Sequence, residues 1–397
     1  MAEGRSKGTR PLVITDPTLL VRHANDRLVM MRERKEVAAM PIADLSHLAL
    51  HGPVTMTGAA IASVLDAGVD VSLHTTNGRW RGIITSARSG NVFLLLAQAA
   101  AWNDDVKRVQ FARPVVASKI AGQRALLKRR ATDRGSPRCK EAADRLGVIE
   151  KRVWAETNVD AMRGLEGAAS AAYFGVFGEM LSEPWTFSKR VRRPPTDPVN
   201  ALLSFGYTLA GSEVARQLAW AGFDLRIGMI HGLHYGRESL AWDLVEELRA
   251  PMVDRFTLRL LNNRQLGEED FEREDGTGAV RLTGDGRRRY LGWWEEMMME
   301  GAAGVRNEPG KEAGAGRLGR NGPGEEFEGG GKASWRRRIE RQVRGLRGFL
   351  LHGKEYPALQ PSWKLGKGEA GNGPDRFSTG EDVEQANESI DKGGGGG

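Results

Sequence analysis

An α+β multidomain fold is expected, with a small N-terminal β-rich domain followed by a larger all-α domain. Three observations predict it. Short apolar runs broken by turn residues fill 10–88, the pattern of strands. From about 93 onward apolar positions recur every three or four residues, the period of helices. Glycine, 51 of 397 residues, crowds into the last hundred, so the front of the chain is richer in core-forming residues than the average composition suggests. A chain of this length has room for two domains and a sizeable core.

Residues 1–9 are polar, lack an apolar signal core and read as a flexible N-terminus. In the β-rich domain, 10–88, strands are expected at Pro11–Thr15, Arg27–Met31, Leu48–Leu50 and Asp70–His74. One helix interrupts them. Thr57 can cap it, Ile61, Val64 and Leu65 repeat at helical spacing, and Gly68 ends it. Asn77-Gly78 tolerates the positive φ of a tight primed turn, so a hairpin is expected between Val69–His74 and Trp80–Ile84. A linker at 89–92 leads into the helical domain, 93–365, with helices expected at 93–102, 112–130, 138–155, 159–183, 198–221, 239–262 and 286–300. Residues 301–332 hold 11 glycines among scattered charges and read as a flexible insertion. Helical spacing returns at Trp335, through Ile339, Val343, Leu346 and Leu350. Residues 366–397 end in five glycines and read as a disordered tail.

Lys+Arg 58 against Asp+Glu 51 gives a net charge of +7, which suits a polyanionic partner without requiring one. A single cysteine, Cys139, excludes an internal disulfide framework and a cysteine-rich zinc site. No run approaches 18 apolar residues, so a cytoplasmic protein is expected.

The most informative stretch runs from Gly228 to Arg249. It places His231 on a glycine-flanked loop, then Asp243 and Glu246 one turn apart in an apolar helix that Ser239 can cap. A helix N-terminus favours a carboxylate by only about 0.3–1 kcal/mol, too little to gather two on an apolar face. Like charges there repel unless a cation or a proton intervenes. Glu166 adds an oxygen donor from a helix of small residues, Gly164 to Ala172, where a neighbouring helix can approach closely. A divalent cation held by Glu166, His231 and Glu246 would keep positions open for water and phosphate oxygens. Carboxylates favour Mg²⁺ or Mn²⁺, and the imidazole tilts the choice toward Mn²⁺. The alternatives are a solvated helix face for Asp243 and Glu246, an ordinary loop histidine, and a Glu166 paired with Arg163 or another arginine. His234 is at best a backbone or phosphate contact.

This stretch resembles the CRISPR-associated endonuclease/integrase family of spacer acquisition. The resemblance rests on Gly228-Met229-Ile230-His231, Gly236-Arg237, Ser239-Leu240, Asp243, Glu246 and Arg249-Ala250-Pro251. Gly164-Leu165-Glu166-Gly167 and the element from Pro194 to Tyr207 add to it, as do Leu50-His51-Gly52, Asp66-Ala67-Gly68-Val69 and Gly90-Asn91-Val92 at the front. It covers roughly 10–300 and 335–360. Trp242 stands where an aliphatic residue is usual, and the segments 301–332 and 366–397 are additions.

The resemblance implies a β-domain that dimerises and a helical catalytic domain. It implies Glu166, His231 and Glu246 as metal ligands, with Asp243 as a further catalytic acid. The implied activity is metal-dependent insertion of short captured DNA into a CRISPR array by phosphodiester transesterification, a function in antiviral defence. Implied partners are double-stranded DNA, a second copy of the chain and the small second-numbered Cas protein. Lys189, Arg190, Arg192, Arg193 and Arg237 are the expected phosphate contacts, with Lys128-Arg129-Arg130 and Arg336-Arg337-Arg338 as further basic groups. Asn200, Ser204 and Tyr207 are expected to share a helix face along the DNA, although Tyr207 equally suits a core. The rival readings are a structure-selective DNA nuclease that uses only water, and a non-catalytic nucleic-acid scaffold.

Overall fold

Two sheets share one core at the front of the chain. In the computed structural model, which describes residues 10–76, 78–85, 91–233, 235–299 and 334–359, the first elements are β1 (Arg10–Ile14), β2 (Leu20–Ala24), β3 (Arg27–Arg32), β4 (Lys35–Pro41), β5 (Leu45–His51) and β6 (Thr55–Met56). They are followed by α1 (Gly58–Asp66), β7 (Val71–His74) and β8 (Trp80–Ile84). One sheet has the order β1-β5-β7-β8, parallel except for the β7–β8 pair, and the other has the order β4-β3-β2-β6. Val21, Leu28, Leu45, Leu48, Val64 and Val71 are fully buried in their shared core. The expected cap of α1 is present, since Thr57 accepts from the Ala60 amide at 3.3 Å.

The sequence reading missed β2, β4 and β6. The hairpins that join β2 to β3 and β3 to β4 turn through Asn25-Asp26 and Glu33-Arg34, four residues with positive φ. Asn and Asp visit that region readily; Glu33-Arg34 carries no such signal and is held there by the ladder on either side. Asn77 lies outside the described residues, but β8 does return antiparallel to β7, and Gly78 has φ 74°. Gly78 also packs on the helical region. A Cβ there would meet Leu209 Cδ2 at 2.5 Å, and Ser212 Oγ donates to the Gly78 carbonyl at 2.7 Å while accepting from Trp80 N at 3.0 Å.

The helical region comprises α2 (Val92–Trp102), α3 (Asp105–Arg134), α4 (Pro137–Ala155), α5 (Val159–Gly175), α6 (Pro198–Trp220), α7 (Ser239–Leu248) and α8 (Arg255–Asn262), followed by a short ribbon of β9 (Phe271–Arg273) and β10 (Val280–Leu282), then α9 (Gly284–Met299) and α10 (Trp335–His352). The ribbon holds the two strands described in this region. The expected helix 239–262 is broken: α7 passes through a π-helical turn, Arg249–Asp254, before α8 begins. Pro251 sits in that turn, where its missing N–H costs less than it would in a regular α-helix. The expected helix 159–183 stops at Gly175 and tightens into a 3₁₀ turn at Phe177–Met180, where a Cβ on Gly178 would meet the Phe187 carbonyl at 2.7 Å. Ser239 is the first helical residue rather than the cap, and α7 has no side-chain cap bond. The segments 301–332 and 366–397, Gly90 and His234 lie outside the described residues. All described residues fall in one compact unit, Met1–Pro361.

α3 runs through the middle of the helical region, with Phe111, Val115, Ile120 and Leu127 fully buried. A buried carboxylate, Glu247, ties the last described segment to the centre. It accepts from Tyr356 OH at 2.5 Å, from Gln342 Nε2 at 2.8 Å and from the Leu359 amide. Ser118 Oγ on α3 donates to the Leu359 carbonyl. Residues 353–359 therefore strap α3 to α7. Burial pushes the Glu247 carboxyl up to about 7 against these three donors. Glu247→Ala would strand all three donors in the interior, so a loss of roughly 3 kcal/mol is expected in the unfolding free energy from urea titration, with Glu247→Gln losing less.

Candidate metal centre

The loop 228–231 wraps around one carboxylate. Asp243, fully buried on α7, accepts from the amides of Met229 at 2.6 Å and Ile230 at 3.0 Å through Oδ2. Its Oδ1 accepts from the amide of His231 at 3.1 Å and from His231 Nδ1 at 2.7 Å. The loop can close this tightly because residue 228 is glycine: a Cβ there would meet Ser239 Cβ at 2.8 Å and Asp243 Oδ2 at 3.0 Å.

This geometry corrects one expectation. Asp243 is not a further acid facing the cleft; its lone pairs are used behind His231. Its bond to Nδ1 fixes the imidazole ring and leaves Nε2 facing away from Asp243. Nε2 points toward Glu246, 3.5 Å from Oε1.

Glu246 and Glu166 do not face each other across empty space. Lys119 of α3 reaches between them, bonding Glu166 Oε1 and lying 2.7 Å from Glu246 Oε2. Arg249 Nε approaches the same Glu246 oxygen at 2.8 Å. Burial alone would raise the Glu246 carboxyl, but Arg249 and Lys119 outweigh it and hold it at about 2. Glu166 also accepts from Ser170 Oγ at 3.0 Å. The expected partner Arg163 instead pairs with Asp160 at 3.1 Å. Glu166, His231 and Glu246 line one cavity of about 360 Å³, walled by Val116, Gly164 and Ile230.

Among the described residues no three His, Cys, Asp or Glu side chains stand poised together around one ion position. The donor set nevertheless fits a divalent cation. Glu166, Glu246 and an anchored imidazole line the same cavity, with Asp160 at its wall paired to Arg163, and the position between Glu166 and Glu246 already holds a positive charge.

A second cavity, of about 780 Å³, is lined by seven arginines, Arg79, Arg81, Arg190, Arg192, Arg193, Arg237 and Arg249, with Glu238 as its only acid. Ser204 and Tyr207 line it as expected. Tyr207 is both a core residue and a floor: its hydroxyl donates to Asp254 Oδ1 at 2.5 Å, and its ring lies 4.6 Å beneath Arg249 and 5.5 Å from Arg190. Asn200 is corrected. It is fully buried, accepting from Arg190 Nη1 at 2.8 Å and donating to the Lys189 carbonyl at 2.9 Å, so it shapes the 189–191 segment without reaching the cavity. Lys189 is exposed and does not line it.

The other basic triplets contain structural partners. Arg129 pairs with Asp133, Arg130 donates to the Leu181 carbonyl, Arg336 pairs with Glu295 and Arg338 stacks on Trp335. The departure at Trp242 is accommodated by Gly211, where a Cβ would come within 3.3 Å of the indole. Sequence reasoning missed Lys119, Arg79 and Arg81, and did not assign Arg249 a role. A lone lysine in the apolar run Val115–Ile120 was the available signal.

Under the arginine cavity Asp254 is fully buried and accepts from Tyr173 OH at 3.0 Å as well as from Tyr207. Burial pushes its carboxyl up from 3.8 to about 6, against the two phenol donors. A raised carboxyl keeps its proton longer in the fold than in the unfolded chain, so its contribution is full in acid and is lost as pH climbs through about 4 to 6. In thermal unfolding Asp254→Asn is expected to gain on the parent chain across that window, by up to ~3 kcal/mol, and to track it above about pH 7. A pH-independent difference would contradict the assignment.

The family model described as CRISPR associated protein Cas1 matches residues 12–296. A CRISPR-associated endonuclease Cas1 of Rhodospirillum rubrum is 35% identical over 297 residues, covering 72% of this chain and 84% of that protein. A Cas6-RT-Cas1–Cas2 complex contains a chain 26% identical with a TM-score of 0.69; the match covers 91% of this chain and 36% of that longer one. The CAS1 protein of Thermotoga maritima superposes with a TM-score of 0.69 at 21% identity, covering 88% of this chain and all of that one, a likeness of fold.

Proposed function

This chain belongs to the CRISPR-associated Cas1 family, and on that premise we propose that it is a DNA endonuclease/integrase that joins short DNA segments into a CRISPR array. One observation carries the reading: Arg249 links the two cavities. It lines the arginine cleft and also bonds Glu246, whose carboxylate lines the smaller cavity beside His231 and Glu166. A phosphate backbone drawn into the arginine cleft is thereby delivered beside the carboxylate–imidazole cluster.

Glu166, Glu246 and His231 Nε2 would hold the Mn²⁺ or Mg²⁺ ion. Such an ion polarises a phosphate oxygen and steadies the charge that builds during displacement. Asp243 fixes the tautomer and aim of His231. Arg249, pinned between Glu246 and the Tyr207 ring, presents its guanidinium along the path of the backbone. Arg190, anchored by Ser204 at 3.0 Å and by Asn200, is preorganised in the same way, whereas Arg192, Arg193, Arg79, Arg81 and Arg237 are exposed and free to follow the strand.

In transesterification an attacking 3′-hydroxyl forms one P–O bond as another breaks. The proton it loses is matched by one gained on the departing 3′-oxygen. The number of phosphodiester bonds is unchanged, so no nucleotide cofactor is required. With water as the nucleophile the same site would cleave. The Cas1–Cas2 assembly of the 26%-identical relative supports the small second-numbered Cas protein as partner. We further propose that a second copy of the chain pairs through the β-rich part. Among the described residues no helix is long and apolar enough to cross a membrane, in keeping with action in the cytoplasm.

Two measurements test this reading. In a strand-joining assay with Mn²⁺, a free 3′-hydroxyl duplex and the small partner, Glu166→Ala, His231→Ala and Glu246→Gln should each lose at least about 100-fold while still binding DNA; full activity in Glu166→Ala rejects the site. For duplex binding, Arg192→Ala and Arg193→Ala should each weaken affinity regardless of sequence and reduce the salt slope by about one. An unchanged slope would remove those arginines from the interface.

A further inference from the structure

Lys119 is the one member of the cluster that the metal reading leaves without a task. It comes from the centre of α3, where its neighbours Val116, Ala117 and Ile120 are buried, and its own side chain is 6% exposed. A lysine is among the residues least often buried, and it stays charged there only when anions surround it. Its ammonium donates to Glu166 Oε1 and forms an ion pair with Glu246 Oε2, joining carboxylates of two helices that would otherwise repel. Arg249 pairs with Glu246 from the π-helical turn that follows α7; among the described residues Lys119 is the cation paired with both acids. The bridged position lies between two oxygens of the proposed ligand set.

Resting on the metal assignment above, we infer that Lys119 is the internal counter-cation of the metal-free enzyme, holding Glu166 and Glu246 within reach of one another and yielding its place when the divalent ion binds. The consequence is a competition. An ion that takes the same two oxygens, Glu166 Oε1 and Glu246 Oε2, and the ammonium exclude one another, so an ion bound between them displaces Lys119. The chain gains a site that keeps its shape without metal, and it binds metal more weakly than the bare ligand set would.

The test uses the full chain and Mn²⁺ alone, at one fixed pH, with bound ion counted from loss of the free Mn²⁺ paramagnetic resonance signal. Without DNA or partner this reads affinity and not turnover. Lys119→Met is expected to bind Mn²⁺ at least about threefold more tightly than the parent chain, as for directly coupled neighbours. Mn²⁺ should also raise its unfolding temperature by more than it raises that of the parent. Lys119→Arg, which keeps the positive charge, should show no tightening. Unchanged or weaker Mn²⁺ binding in Lys119→Met, with Glu246→Gln still abolishing it, would overturn the inference and leave the metal site standing. No Mn²⁺ binding by the parent chain would overturn both. If Lys119→Met fails to fold in chelator, recovery of its helical circular dichroism on adding Mn²⁺ supports the inference, and failure to recover overturns it.

Discussion

A carboxylate taken out of water must be met by positive charge or by donors, and the centre of this molecule is arranged around that requirement. Glu246 is nearly inaccessible and is met by Lys119 from α3, Arg249 from its own helix and His231 from the preceding loop. Asp243, one turn earlier, is met entirely by the loop: three amides and an imidazole N–H converge on it. These two acids determine where the loop closes, which way the histidine faces and how close α3 and α5 come to α7. Glu247, next in sequence, points to the opposite side and anchors the strap 353–359. Three acids within five residues thus serve three different tasks, separated by the helical rotation between them.

The same requirement joins recognition to chemistry. Arg249 is drawn inward by Glu246 and lies flat on Tyr207, whose hydroxyl is fixed by Asp254 at the end of the π-helical turn. A regular helix through 249–254 would rotate Arg249 and Asp254 relative to one another. The π turn lets both reach Tyr207, one against the ring face and one at the hydroxyl. The arginine cavity is therefore not merely near the acidic cluster; it is built on residues that the cluster holds in place.

Much of this was legible in the chain. The strand-to-helix transition, the cap of the first helix, the β7–β8 pairing and most helix positions followed from periodicity and turn chemistry. Of the strands that escaped notice, β6 has two residues, and the seven-residue β4 follows a hairpin through Glu33-Arg34, a pair with no local preference for positive φ. Glu166, His231 and Glu246 were singled out because acids on apolar faces demand a partner, and they do line one cavity. Asp243 and Asn200 turn out to be buried with their side-chain oxygens taken up inside the fold, because spacing gives a shared face but not which atoms take up the lone pairs.

The sequence by itself determined the architecture, the presence of costly acids in an apolar setting and the excess of arginine, since these depend on residue type and short-range order. Only the tertiary structure decided what satisfies each charge. Lys119 lies 47 residues from Glu166 in the chain, and Ser118 lies 241 from Leu359. Electrostatic pairing depends on distances of a few ångströms, and for residues so far apart those distances exist only once the helices have packed.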